Sequence, residues 1–156
     1  MLFPFLLLVT IALYAFFFGI SLLQLIAPWE RHVSGQTFVN YHQAIDPYMA
    51  KWAKILAQLQ LVLTLVVLWI FYQRGLTWSV CLLGIALGMV IISVLVAIRG
   101  NVPLNQVMKR WSATELPVNW LSIRDQWLTY HRWRAWVNMI GFIFLLASLL
   151  ASQEHL

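Results

Sequence analysis

Four long stretches without an ionised side chain constrain this sequence more than any other feature. Residues 2–27, 55–72, 78–98 and 135–151 contain no Asp, Glu, Lys or Arg. A helix needs roughly 20 residues to cross a hydrocarbon core about 30 Å thick, so each stretch fills or nearly fills one crossing. Open sheet edges or loops at that depth would leave backbone N–H and C=O groups without partners, and helices avoid this. The expected fold class is therefore all-α: an integral membrane four-helix bundle with two longer polar loops on one side. Only 10% of residues are charged, against about a quarter in a soluble domain. Four spans and their connections use nearly all of the 156 residues, so residues 1–156 are expected to form a single membrane domain.

Local signals set the expected boundaries. The opening "MLFPFLLL" lacks a basic n-region and no convincing cleavage site follows, so 2–27 reads as a retained span and not a signal peptide. In "IDPYMAKW", Asp46 has the form of an N-cap and Pro47 that of a first helical residue, which predicts a second helix over 47–73. The third is expected over 78–98, beginning after Thr77 and stopping at "RGN", with Gly100 as its C-terminal cap. The fourth is expected over 120–151, with Asn119 placed to cap it and Ser112 and Glu115 at capping-box spacing before it. The short "QRGLT" makes the second and third spans antiparallel neighbours. Gly84 and Gly88 form a small-xxx-small face suited to close helix contact, and Ser21, Gln24, Gln58 and Gln60 suit interhelical hydrogen bonds.

Basic residues give the orientation. Arg31, Lys51, Lys54, Arg99, Lys109, Arg110, Arg124, Arg132 and Arg134 flank the two longer connections, 28–46 and 99–119, whereas Arg74 is alone on the other side. Nine against one predicts both connections in the cytoplasm and both termini outside, as in a protein of a bacterial inner membrane. This asymmetry accounts for the net charge of +5, so no nucleic-acid partner is inferred. The far face offers little beyond Glu154 and His155. The single cysteine, Cys81, excludes an internal disulfide and argues against a thiol-based metal site.

The last helix raises a separate question. Its first half, "RDQWLTYHRWRAW", carries charges and indoles to the threshold of an apolar run. At 100° per residue, Trp120, Arg124, Trp127, His131, Arg134 and Asn138 fall within an arc of about 80°. A charge facing lipid at the bilayer centre costs about 2.5–3.5 kcal/mol on insertion scales, so this stripe should face the bundle interior or a water-filled funnel. Arg132, Trp133 and Trp136 lie off the stripe and read as interfacial anchors. The covering connections supply His42 and Asp46 in "FVNYHQAID", and Asn101 and Asn105 around Pro103 in "NVPLNQVMKRW". The asparagines also suit satisfaction of loose backbone groups at a helix end. His42 and Asp46 are four apart, and with His131 they form the one conceivable metal set. The capping role of Asp46 and the absence of a dense His/Glu motif count against it, so no metal is expected.

"RGNVPLNQVMKRW" followed by "WLSIRDQWLTYHRWR" resembles the anthrone-oxygenase-like family of small four-span membrane proteins, much of it classed as a domain of unknown function. Asn101, Pro103 and Asn105 match an N-x-P-x-N element after the third span. Trp120, Arg124, Trp127, His131 and Arg134 match an element leading into the fourth, and His131 stands where many members carry Asn. "FVNYHQAID" with Pro47 looks like the segment between the family's first two spans. The resemblance covers most of the chain. A few members oxidise an anthrone to an anthraquinone with dioxygen and without a recognised cofactor, so the resemblance implies oxygenase-like chemistry and carries over no substrate.

Three functional readings follow. In the first, an oxidoreductase, His131 is the base and Arg124 and Arg134 hold the developing oxyanion. Asn101, Asn105, Trp120, Trp127 and His42 then bind the lipophilic substrate. In the second, His42 and His131 build a metal or haem site. In the third, the chain is a non-catalytic accessory subunit, or binds a lipid or quinone head group. Membrane lipid is a partner in every case, and a homo-oligomer or a larger membrane complex is compatible with all three.

Overall fold

The computed structural model describes residues 2–153, so Glu154 and His155 lie outside the described residues. It is all-α. Helix α1 spans Leu2–Ile26, α2 Gly35–Gln73, α3 Thr77–Val96, α4 Val102–Met108 and α5 Trp120–Gln153. A 3-10 turn, Trp29–Arg31, lies between α1 and α2, and a π-helical turn, Ala97–Asn101, joins α3 to α4. Four helical stretches, among them Gly35–Gln73 and Thr77–Met108, are long and apolar enough to cross a membrane. The chain is thus an integral membrane four-helix bundle. Helix α5 packs most extensively on α3 and then on α1, while α2 closes the ring against α3 and α1.

The α2–α3 reversal follows from one glycine. Gly75 has φ +69°, the only positive φ among the described residues. Its N–H donates to the Tyr72 carbonyl at 3.0 Å, and the Leu76 N–H donates to the Phe71 carbonyl at 3.1 Å. This pair of bonds is the Schellman closure, which needs the left-handed backbone that glycine adopts without strain. Leu76 then packs with Phe71, Val67 and Leu83 in the membrane-level core. The two helices are antiparallel neighbours, as "QRGLT" requires.

Several expected boundaries are corrected. Helix α2 does not begin at Pro47 but at Gly35, where the Ser34 hydroxyl accepts from the Thr37 N–H at 3.2 Å. Asp46 is therefore not a cap, and Pro47 sits inside the helix. Tertiary packing outweighs the proline, because Phe38, Val39, His42 and Asp46 on the preceding turns are all buried. At 39 residues, α2 is about 58 Å long and extends well beyond the hydrocarbon core.

Gly100 does not cap a helix either. The chain runs through it as the π-turn and continues helically to Met108. Gly100 is buried because the Tyr130 ring lies against it; an added Cβ would sit 2.5 Å from that ring. Ser112 pairs with Thr114 in a short turn and starts no helix. The Gly84 and Gly88 positions have no non-local atom within 4 Å of an added Cβ, so they mediate no close contact within the bundle. The close α3–α5 approach is made instead by Gly141 against Met89 and Ala86. Of the polar insertions, Ser21 does join two helices, accepting from Asn138 at 2.8 Å, whereas Gln58 is exposed.

A second core caps the bundle at its polar end. Phe38 and Val39 of α2, Met108 of α4, and Trp127 and Leu128 of α5 form a buried cluster. Leu104, Trp111, Leu116 and Ile123 pack around it. Most of what the sequence presents as two loops is this helical cap, and only residues 109–119 form a long irregular connection.

Candidate functional site

The stripe on α5 faces inward. Arg124 and Trp127 are 8% and 9% exposed, and Trp120, His131, Arg134 and Asn138 are half-buried. Trp133 and Trp136, assigned as anchors, are exposed at 61% and 51%. The cost of turning ionised groups toward lipid decides this orientation.

Trp127 is the hub. Its indole Nε1–H donates to Asn105 Oδ1 at 2.7 Å, and the Asn105 Nδ2 donates to Asp46 Oδ1 at 2.6 Å. The other carboxylate oxygen of Asp46 pairs with Lys109 Nζ at 2.8 Å. One polar chain thus links α5, α4 and α2. Each neutral bond contributes about 0.5–1.5 kcal/mol net, but stranding a buried group costs about 1–3 kcal/mol. Asn101 donates its Nδ2 to the Trp127 carbonyl at 3.2 Å, and its buried Oδ1 has no partner among the described residues.

Two imidazoles flank the same indole. His131 lies one turn along α5, with ring centroids 4.1 Å apart, and His42 meets the Trp127 ring in a T-shaped contact at 5.7 Å. Phe38 stacks on His42 at 6.1 Å. His42 is 6% exposed and its Nε2 has no partner among the described residues.

Arg124 is largely committed. Its Nε and Nη2 donate to Asp125 Oδ1 at 3.2 and 3.1 Å, and its Nη1 donates to the Glu30 carbonyl at 3.4 Å. The guanidinium also lies over the Trp120 ring, 5.2 Å from its centroid. Arg134 is less committed: its buried Nε has no partner among the described residues. Beneath Arg124, the carboxylate of Glu30 is 3% exposed and accepts from Gln24 Nε2 at 2.8 Å.

The structure thus brings His42, His131, Trp127, Asn101, Asn105 and Asp46 together, with Arg124 and Arg134 along the same face of α5. Phe38, Met108 and Leu128 pack around the indole, and of the stripe residues Asn138 borders a small hollow with Tyr14, Phe17 and Gln60. Both oxygens of Asp46 are taken up by Asn105 and Lys109, and no three His, Cys, Asp or Glu among the described residues are arranged to hold a metal ion.

Sequence reasoning missed Lys109 as the partner of Asp46, having counted it only for orientation. It also missed Gln43, whose Nε2 donates to the Met108 and Trp111 carbonyls at 3.1 and 2.9 Å and fixes the end of α4. Gln43 lies one turn from Asp46 on a helix, a signal visible only if α2 begins before Pro47. No family model, no curated protein and no solved structure matches the chain.

Proposed function

We propose that the chain is a small membrane oxidoreductase acting on a flat, lipophilic phenol or anthrone-like ketone at the polar end of the bundle. The observation that carries this reading is the pair of imidazoles against one buried indole, with His42 Nε2 and Asn101 Oδ1 unpartnered beside them. Buried polar atoms without partners are costly, and a ligand that supplies donors would relieve them. The resemblance of the N-x-P-x-N and W…R-x-x-W elements to the anthrone-oxygenase-like family supports oxygenase-like chemistry.

The chemistry needs little beyond a base and an anion-stabilising group. A methylene conjugated to a ring ketone loses a proton to imidazole and leaves an electron-rich enolate. His131 is assigned this role. Dioxygen then oxidises that carbon: one oxygen atom becomes the new carbonyl, and the other leaves as water with the two methylene hydrogens. Arg134, through its free Nε, stabilises the enolate oxygen, while Trp120 and Trp127 provide flat surfaces for the ring. Asn105 orients Trp127 by accepting from its indole N–H, and its amide keeps one further N–H and one lone pair for a substrate polar group. Entry requires the cap formed by the N-terminal part of α2, α4 and residues 109–119 to open. The basic residues at this end favour a cytoplasmic placement in a bacterial inner membrane.

The test uses purified full-length protein in detergent with an anthrone. Quinone absorbance and dioxygen uptake should rise together, one dioxygen per product. His131→Ala should lower turnover by about 10²–10⁴. Unchanged turnover in that variant removes His131 as the base, and failure of wild-type protein to bind or convert any such ring compound removes the reading.

A second reading is a non-catalytic subunit or a binder of a quinone or lipid head group. It is favoured by the commitment of Arg124 and Asn105 to structural partners. Stoichiometric binding of a quinone without turnover, or co-purification with a larger complex, would select it.

A further inference from the structure

Where α3 passes into the π-turn, Ile92, Leu95, Val96, Arg99, Gly100 and Tyr130 line an open groove of about 210 Å³. Ile92 and Leu95 are 42% and 41% exposed, so the groove opens on the outer perimeter of the third span. Its wall on α5 is the Tyr130 ring, which approaches this closely only because residue 100 has no side chain. Arg99 is exposed and forms no ion pair among the described residues. It follows directly on the uncharged stretch 78–98, which puts its guanidinium at the level of the lipid phosphates.

We propose that this groove is a binding site for one anionic phospholipid. An acyl chain lies along Ile92, Leu95 and Val96, and the headgroup phosphate lies on Arg99. The lining carries one cation and no carboxylate, which fits a phosphate with a hydrocarbon tail and disfavours a cationic ligand. Guanidinium offers a planar fork of donors matched to two phosphate oxygens. In a zwitterionic lipid the headgroup's own ammonium competes for that phosphate, so phosphatidylglycerol is preferred over phosphatidylcholine. The site shares no residue with the proposed catalytic groups and stands independently of that reading.

Native mass spectrometry of the full chain, released from micelles containing phosphatidylglycerol or phosphatidylcholine, tests it. Wild-type protein should retain one phosphatidylglycerol and prefer it about fivefold, the order expected of one basic contact. Arg99→Gln should lose the preference. Leu95→Trp, which fills the groove from an exposed position and leaves every charge in place, should lose retention of both lipids at an unchanged unfolding temperature. Arg110→Gln, at another exposed arginine of the same end, should behave as wild type. Equal retention of the two lipids by wild-type protein, or undiminished phosphatidylglycerol in both Arg99→Gln and Leu95→Trp, overturns the site. A loss as large in Arg110→Gln as in Arg99→Gln also overturns it, because the effect would then be general surface charge.

Discussion

Trp127 donates its indole N–H to Asn105 at 2.7 Å, and by that bond the last helix is fastened to the short helix α4. Asn105 spends its other polar group on Asp46, so one amide holds three helices in register. Asn105→Leu should strand both the indole N–H and one carboxylate oxygen, lowering stability by about 1–3 kcal/mol. Thermal unfolding in detergent, read by tryptophan fluorescence, checks this. Asn105→Asp should be at least as harmful, since it sets a carboxylate against Asp46.

Lys109 and Asp46 should behave as a coupled pair. Lys109→Met leaves a buried carboxylate with Asn105 as its remaining partner, so it should cost more than its partly exposed ammonium alone would predict. Adding Asp46→Asn to Lys109→Met should recover part of that loss. A coupling of about 0.5–3 kcal/mol is expected from the double-mutant cycle. Strict additivity would mean that the pair contributes nothing as a pair.

The contact of Gly100 with Tyr130 predicts a rescue. Gly100→Ala should destabilise, because the new methyl meets the ring at 2.5 Å and repacking of this kind costs about 1–3 kcal/mol. In a Tyr130→Ala background the same glycine substitution should cost much less. Unfolding temperatures of the four proteins decide the matter.

The membrane spans were legible because hydropathy and length dominate every alternative in lipid. The inward turn of the α5 stripe was legible for the same reason, as the solvation cost of Arg124, His131 and Arg134 leaves one side for them. The start of α2 was not. Asp46–Pro47 satisfies the local rules for a helix start, and only the distant partners Asn105 and Lys109 reveal that Asp46 is a buried tether. Gly100 misled in the same way: a glycine after an apolar run suits a cap, and its real requirement, an aromatic ring from α5, is thirty residues away in the chain. The contents of the cap were visible as residue types, but their pairing depends on packing among three helices, which periodicity does not encode.

The π-turn at Ala97–Asn101 carries one more consequence. A wide turn of this kind amounts to a single extra residue slipped into an α-helix. Everything beyond it is rotated by about 100° relative to the phase that α3 would otherwise impose. Asn105 meets Trp127 only after that offset. The turn therefore works as a phase key between the lipid-embedded part of the molecule and its polar lid. A chain shortened by one residue there would keep all four crossings yet present the wrong edge of α4 to the indole.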